Sequence, residues 1–199
     1  MRSPHVTRQL PLRALVLLAA PGVRGDRLLL AQEDLLEASV GMSPEDSARR
    51  RAGMRKAMDA AMAAPDSDAA TAAIRALGEG ITGYSPQERE LLARQLGDPA
   101  LLWLLRYDPA PALAGVKCPV LALNGSKDQQ VPASLDLPGL RAGLAGNPQA
   151  RIEELAGLNH LFQTAPTGAF REYPLLEETI AAAALTLIVD WVAKVTAKT

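Results

Sequence analysis

The first half of the chain combines one short apolar run with a longer stretch of helical character. An unbroken apolar run over 14–20 is closed by Pro21-Gly22. This pattern is typical of a parallel strand that is buried on both faces and ended by a turn. From about 28 to 105 loop signals such as Gly41-Met-Ser-Pro separate the apolar stretches, which predicts a block of four or five helices.

Beyond Pro109-Ala-Pro111 strands and helices alternate. The predicted elements are strands over 118–125 and 150–155 and helices over 137–145 and 177–194. Such alternation predicts a parallel sheet with right-handed crossovers, whose ligands bind at the carboxyl ends of the strands.

Two helix starts are marked by caps. Ser43 precedes Glu45-Asp46 and an Arg-rich stretch, and Ser85 precedes a proline in the first helical position. The charged run 47–56 is interpreted as the solvated face of the helix that Ser43 begins.

The amino terminus has a second interpretation. Arg2, Arg8 and Arg13 precede the apolar run, as basic residues do in a secretory signal. The residues alone do not decide between a secretory signal and a strand. No later apolar run approaches the ~20 residues that a membrane span needs, so no membrane association is expected.

The composition of the chain limits the kinds of partner that it is expected to bind. The 199 residues are 48% hydrophobic, enough for a buried core, and 21 basic against 22 acidic residues give a net charge of -1. This balance gives no reason to expect nucleic acid or an anionic membrane as partner. Cys118 is the single cysteine, which excludes internal disulfides and fits a reducing compartment such as the cytoplasm.

Two polar residues follow the strands at their carboxyl ends. Asp128 comes four residues after the strand that ends near Asn124, and His160 comes five residues after the strand that ends near Leu155. A carboxylate beside an imidazole fixes its tautomer and stabilises the imidazolium that forms when the ring takes a proton. The pair is therefore a candidate acid and base.

Four segments together resemble the α/β-hydrolase family, in its esterase and serine-aminopeptidase-like group. They are 14–26 (ALVLLAAPGVRGD), 105–113 (LRYDPAPAL), 118–132 (CPVLALNGSKDQQVP) and 158–163 (LNHLFQ). The resemblance implies a truncated α/β-hydrolase fold whose three strands correspond to the sixth, seventh and eighth of the family. It also implies that Asp128 is the acid and His160 the base. The expected domains are a first strand and turn over 1–27, a helical cap over 28–107 and the rest of the α/β core over 108–199.

The family's nucleophile is missing from this sequence. Its G-x-S-x-G elbow should precede the first strand, and none of the eight serines stands in that pattern. Ser43 comes nearest and is better explained as a helix cap. Cys118 is a poor substitute, because it begins a strand at the edge opposite to the one expected for His160.

Three functions remain open at this point. The first is a slow ester hydrolase in which His160 activates water and Asp128 orients it, with no cofactor. The second is a metal-assisted hydrolase of esters or phosphoesters, in which His160 and Asp128 bind zinc, with His5 the one other histidine. The third is a non-catalytic remnant or assembly domain. Because a first strand so apolar would form an open edge, we expect a homodimer or higher homo-oligomer in each case.

Overall fold

The computed structural model describes residues 12–197, and these form two compact units. One unit combines the residues up to Val23 with those from Pro109 onward. The other runs from Arg24 to Asp108. The amino-terminal basic residues Arg2 and Arg8, on which the signal interpretation depends, lie outside the described residues.

The strands are β1 (Leu15–Leu18), β2 (Val120–Gly125) and β3 (Ala150–Leu155). The α-helices are α1 (Gly25–Ser39), α2 (Pro44–Ala63), α3 (Ser67–Leu77), α4 (Pro86–Leu96), α5 (Pro99–Arg106), α6 (Ala110–Ala114), α7 (Ala133–Gly143) and α8 (Ala182–Thr196). Short 3₁₀ helices cover Gly78–Gly80 and Phe170–Leu175. Within 12–197 no helix is long and apolar enough to cross a membrane.

The three strands form one parallel sheet in the order β1-β2-β3. The predicted α/β class with a short parallel sheet is therefore confirmed. Every residue of the central strand β2 is buried. The expectation that β1 is buried on both faces is wrong, because β1 is an edge strand whose first three residues are half-buried and whose Leu18 is 44% exposed.

The helix α7 packs on the sheet. Leu137 and Leu140 on α7 join Val120 and Ala122 on β2 in one apolar cluster, where all four are at most 1% exposed. This helix begins four residues before the predicted start. The main-chain N–H groups of residues 135 and 136 donate to the carbonyl of Pro132, which starts the first turn ahead of the apolar positions.

The last helix begins later than the sequence predicts, at Ala182 instead of 177. Side-chain contacts hold the preceding segment out of the helix. Gln163 donates through Nε2 to the carbonyl of Glu178 at 2.7 Å, and the Glu178 carboxylate accepts from the main-chain N–H of Thr164 at 2.6 Å. Such contacts join residues distant in sequence, so local periodicity does not reveal them.

The unit Arg24–Asp108 is a helical block with its own core, which includes Leu30, Met58, Ile74 and Leu105. Both predicted caps form. Ser43 accepts from the N–H of Asp46, and Ser85 with Glu88 makes a reciprocal capping box. Each such cap contributes about 1 kcal/mol to its helix.

The charged run on α2 is only partly a solvated face. The Arg50 side chain is 19% exposed, lies over the ring of Tyr84 with 3.9 Å to the centroid, and pairs with Glu37 at 3.0 Å. Glu33 and Glu88 are its other carboxylate partners. Arg50 is therefore a structural cation of the helical block.

Candidate active site

The structure brings Asp128 and His160 into direct contact. Nδ1 of His160 lies 2.9 Å from Oδ2 of Asp128. The Asp128 side chain is wholly buried, whereas the His160 side chain is 26% exposed. With Nδ1 against the carboxylate, Nε2 is the nitrogen that can take a proton from water or substrate, which is the arrangement of a general base with its orienting acid.

The loop after β2 fixes the Asp128 carboxylate. Its second oxygen, Oδ1, accepts from the main-chain N–H groups of Gln130 and Val131, both at 2.8 Å. Asn124, the penultimate residue of β2, donates through Nδ2 to the carbonyl of Val131 at 2.8 Å and closes the loop. Both carboxylate oxygens are thus occupied, so the group cannot turn away from the imidazole.

The loop after β3 is held by Asn159, which immediately precedes His160 and is fully buried. Its Oδ1 accepts from the N–H groups of Leu161 and Gln163 at 2.9 and 3.0 Å, and its Nδ2 donates to Oε1 of Gln163 at 2.9 Å. Phe162 between them has φ +60°, an uncommon conformation for a residue with a side chain. The tight turn sets the direction in which His160 leaves the main chain.

The two loops are fastened to each other. Gly125 lies so close to the main chain of Leu158 that a side chain there would collide with the Leu158 carbonyl oxygen. Ser126 accepts through Oγ from the N–H of Gly157 at 2.8 Å. Lys127 donates through Nζ to the carbonyls of Ala165 and Pro166 at 2.8 and 2.7 Å. The distance between acid and base is therefore set by these contacts between the two loops.

Tyr173 is a further member of the site that sequence reasoning missed. Its hydroxyl accepts from Nε2 of Gln130 at 3.2 Å, and the main-chain N–H of Gln130 in turn donates to Asp128. Burial raises the pKa of Tyr173, and the negative charge of Asp128 adds to the rise. No local pattern marks this residue, which lies in the 3₁₀ helix Phe170–Leu175.

Asp136 on α7 is a second buried carboxyl group in the same unit, and it too was missed. Oδ1 accepts from the N–H of Gly22 at 2.8 Å, whereas Oδ2 is buried without a hydrogen-bond partner. Burial raises the pKa of Asp136 to about 6, and the charge of Asp128 acts in the same direction, although the N–H groups of Gly22 and Val23 oppose the rise. The group is anchored to the turn that follows β1.

Two other candidates are not part of this site. Cys118 is a free, half-buried cysteine just before β2, so it lies at the amino end of the strands and His160 at the carboxyl end. Among residues 12–197 no three His, Cys, Asp or Glu side chains stand close enough to hold a metal ion. His5, the second histidine of the zinc hypothesis, lies outside the described residues.

Comparison with known proteins gives matches among solved structures alone. No family model matches the chain, and neither does any curated protein. A putative non-heme bromoperoxidase from Mycobacterium tuberculosis H37Rv matches with 19% identity and a TM-score of 0.41, over 96% of this chain and 62% of that one. An esterase from a Rhodococcus species matches with 19% identity and a TM-score of 0.32, over 89% of this chain and 56% of that one. A proline iminopeptidase from Mycobacterium smegmatis matches with 18% identity and a TM-score of 0.32, over 77% and 52%. This chain thus spans about three fifths or less of the length of these three structures.

Proposed function

We propose that this protein is a hydrolase of small-molecule esters in which His160 is the general base and Asp128 orients it. The observation that carries the proposal is the 2.9 Å contact between Nδ1 of His160 and a carboxylate whose other oxygen is held by two main-chain N–H groups. A buried carboxylate so held stabilises the imidazolium that forms when Nε2 takes a proton.

Water is the nucleophile that we propose. The sequence contains no G-x-S-x-G elbow to supply an activated serine. In the proposed reaction Nε2 of His160 takes a proton from water as its oxygen attacks the ester carbonyl, and the imidazolium returns the proton to the departing alcohol. Without a covalent intermediate, turnover should be slow.

The test is hydrolysis of p-nitrophenyl esters by the full chain. We expect wild-type protein to exceed buffer, and His160→Ala and Asp128→Ala each to lower the excess about 100-fold or more, the usual contribution of a positioned acid or base. His5→Gln is the matched histidine control and should retain the wild-type rate. If every variant equals buffer, the chain is not an esterase and the non-catalytic alternative stands.

Two further measurements distinguish this mechanism from the alternative mechanisms. A chelator should leave the rate unchanged, and a rate abolished by the chelator and restored by Zn²⁺ would favour metal-assisted hydrolysis instead. A serine-directed organophosphate should leave the protein unmodified by mass spectrometry. Stoichiometric labelling would reveal a nucleophilic serine and contradict the water mechanism.

A further inference from the structure

Four residues of the site form a continuous chain of hydrogen bonds. Asp128 accepts the N–H of Gln130 through Oδ1 and contacts Nδ1 of His160 through Oδ2. Tyr173 extends the chain, because its hydroxyl accepts from Nε2 of the Gln130 side chain at 3.2 Å. Acid, base and hydroxyl are thus joined without a gap.

This chain of contacts bears on the orientation of the base. The carboxylate restrains the imidazole at Nδ1, and the hydroxyl restrains the loop that carries the carboxylate, through the Gln130 side chain. Tyr173 is itself held in place, since its ring lies 5.6 Å from that of Phe170, centroid to centroid, in a tilted arrangement. A hydroxyl fixed in this way can hold His160 in register with Asp128 without touching a substrate.

We infer that Tyr173 is a positioning residue, whose hydroxyl keeps the His160 imidazole aligned with Asp128 and so in a single tautomer. Its consequence for catalysis rests on the ester hydrolysis proposed above, whereas its effect on the imidazole does not. Removal of the hydroxyl frees the Gln130 side chain, lets the loop that carries Asp128 shift and lengthens the contact between Nδ1 and Oδ2. The imidazole then loses its preference for carrying the proton on Nδ1.

The test is ¹⁵N NMR of the imidazole nitrogens in the full chain labelled at histidine, at about pH 8, above the ordinary pKa of an imidazole. A His5→Gln background leaves His160 as the one histidine that is observed. We expect the Nδ1–H tautomer to dominate, and Tyr173→Phe to lower the ratio of Nδ1–H to Nε2–H about fivefold, as loss of one hydrogen bond would. Tyr173→Phe retains the ring that packs on Phe170.

Tyr84→Phe is the matched control, since it also removes one hydrogen-bonded phenol hydroxyl, here bonded to Glu33 in the helical block. Its tautomer ratio should equal that of the background. Gln130→Met, which deletes the side-chain donor to the Tyr173 hydroxyl, should lower the ratio by a similar factor and serves as the test if Tyr173→Phe does not fold.

The outcomes separate the two proposals. An unchanged ratio in a folded Tyr173→Phe variant, or an equal fall in Tyr84→Phe, overturns the positioning role whatever the esterase assay gives. A lowered ratio in a protein that hydrolyses no ester supports the positioning role and rejects the proposed function. Where ester is hydrolysed, kcat should fall about tenfold with KM within about twofold, since the substrate itself is not contacted.

Discussion

Asp136 holds the turn after β1 through a hydrogen bond of 2.8 Å from the main-chain N–H of Gly22 to its Oδ1. The approach is close on both sides, because a side chain at Gly22 or at Gly139 would collide with the main chain of the other element. The Asp136 carboxyl group is buried in this contact, and its Oδ2 has no hydrogen-bond partner. Its ionisation is therefore opposed by the fold.

Replacing Asp136 by Asn should stabilise the protein in a manner that depends on pH. Because burial raises the pKa of Asp136 in the fold to about 6 from an ordinary 3.8, the wild type is most stable when the group is protonated and loses stability as pH rises through this window. The loss approaches about 3 kcal/mol above pH 6. Asp136→Asn keeps an oxygen to accept from Gly22 and never ionises.

Urea unfolding between about pH 4 and pH 8 measures this difference. The free energy of unfolding of Asp136→Asn should exceed that of the wild type by an amount that grows from pH 4 to pH 6 and is then constant. A difference that is the same at every pH would mean that Asp136 does not ionise within the window.

Asn159 and Asn147 offer a matched pair for the histidine loop. Each side chain makes three hydrogen bonds, those of Asn147 being to the carbonyls of residues 116 and 118 and from the N–H of Gln149. Asn159→Ala and Asn147→Ala should each cost about 3 kcal/mol, at about 1 kcal/mol per bond. Only Asn159→Ala should also lower ester hydrolysis, since Asn147 lies before β3 and Asn159 after it.

The two tryptophans allow the loss of stability to be measured separately for the unit that contains the sheet. Trp191 lies in the unit that contains the sheet, and Trp103 lies in the helical block. In a Trp103→Phe background, fluorescence reports the unfolding of the sheet unit alone. The rates of ester hydrolysis of the two variants should then be compared per folded molecule. An equal loss of rate in both variants would show that stability, and not the turn at Asn159, governs activity.

We propose that two copies of the chain pair along β1. The sheet of the described residues ends at this strand, and its Leu18 is 44% exposed. The N–H groups of residues 15 and 19 donate toward β2, so by alternation the N–H of Val16 faces the opposite edge. Light scattering at micromolar concentration should give a dimer.

Val16→Pro tests the pairing without removing a bond to β2, because proline lacks only the outward N–H. The variant should be a monomer with an unchanged circular dichroism spectrum. Leu12→Pro, three residues before β1, is a control that should remain dimeric. A monomeric wild type would refute the pairing.

Much of the fold can be predicted from local sequence patterns. The strand Ala150–Leu155 and the caps at Ser43 and Ser85 follow from period, cap chemistry and proline placement, which act within a few residues. The start of α8 does not, because the contacts of Glu178 that delay it reach back to residues 163 and 164.

The same distinction between local patterns and long-range contacts applies to the candidate site. The sequence predicts that Asp128 and His160 follow neighbouring strands and lie near each other, because parallel strands bring their carboxyl ends to one edge. Tertiary contacts, in contrast, bring the two side chains together, join Tyr173 to the loop that carries Asp128 and bury Asp136 against the turn at Gly22. These relationships join residues 32 to 114 positions apart, whose proximity depends on how the loops pack and not on any pattern along the chain.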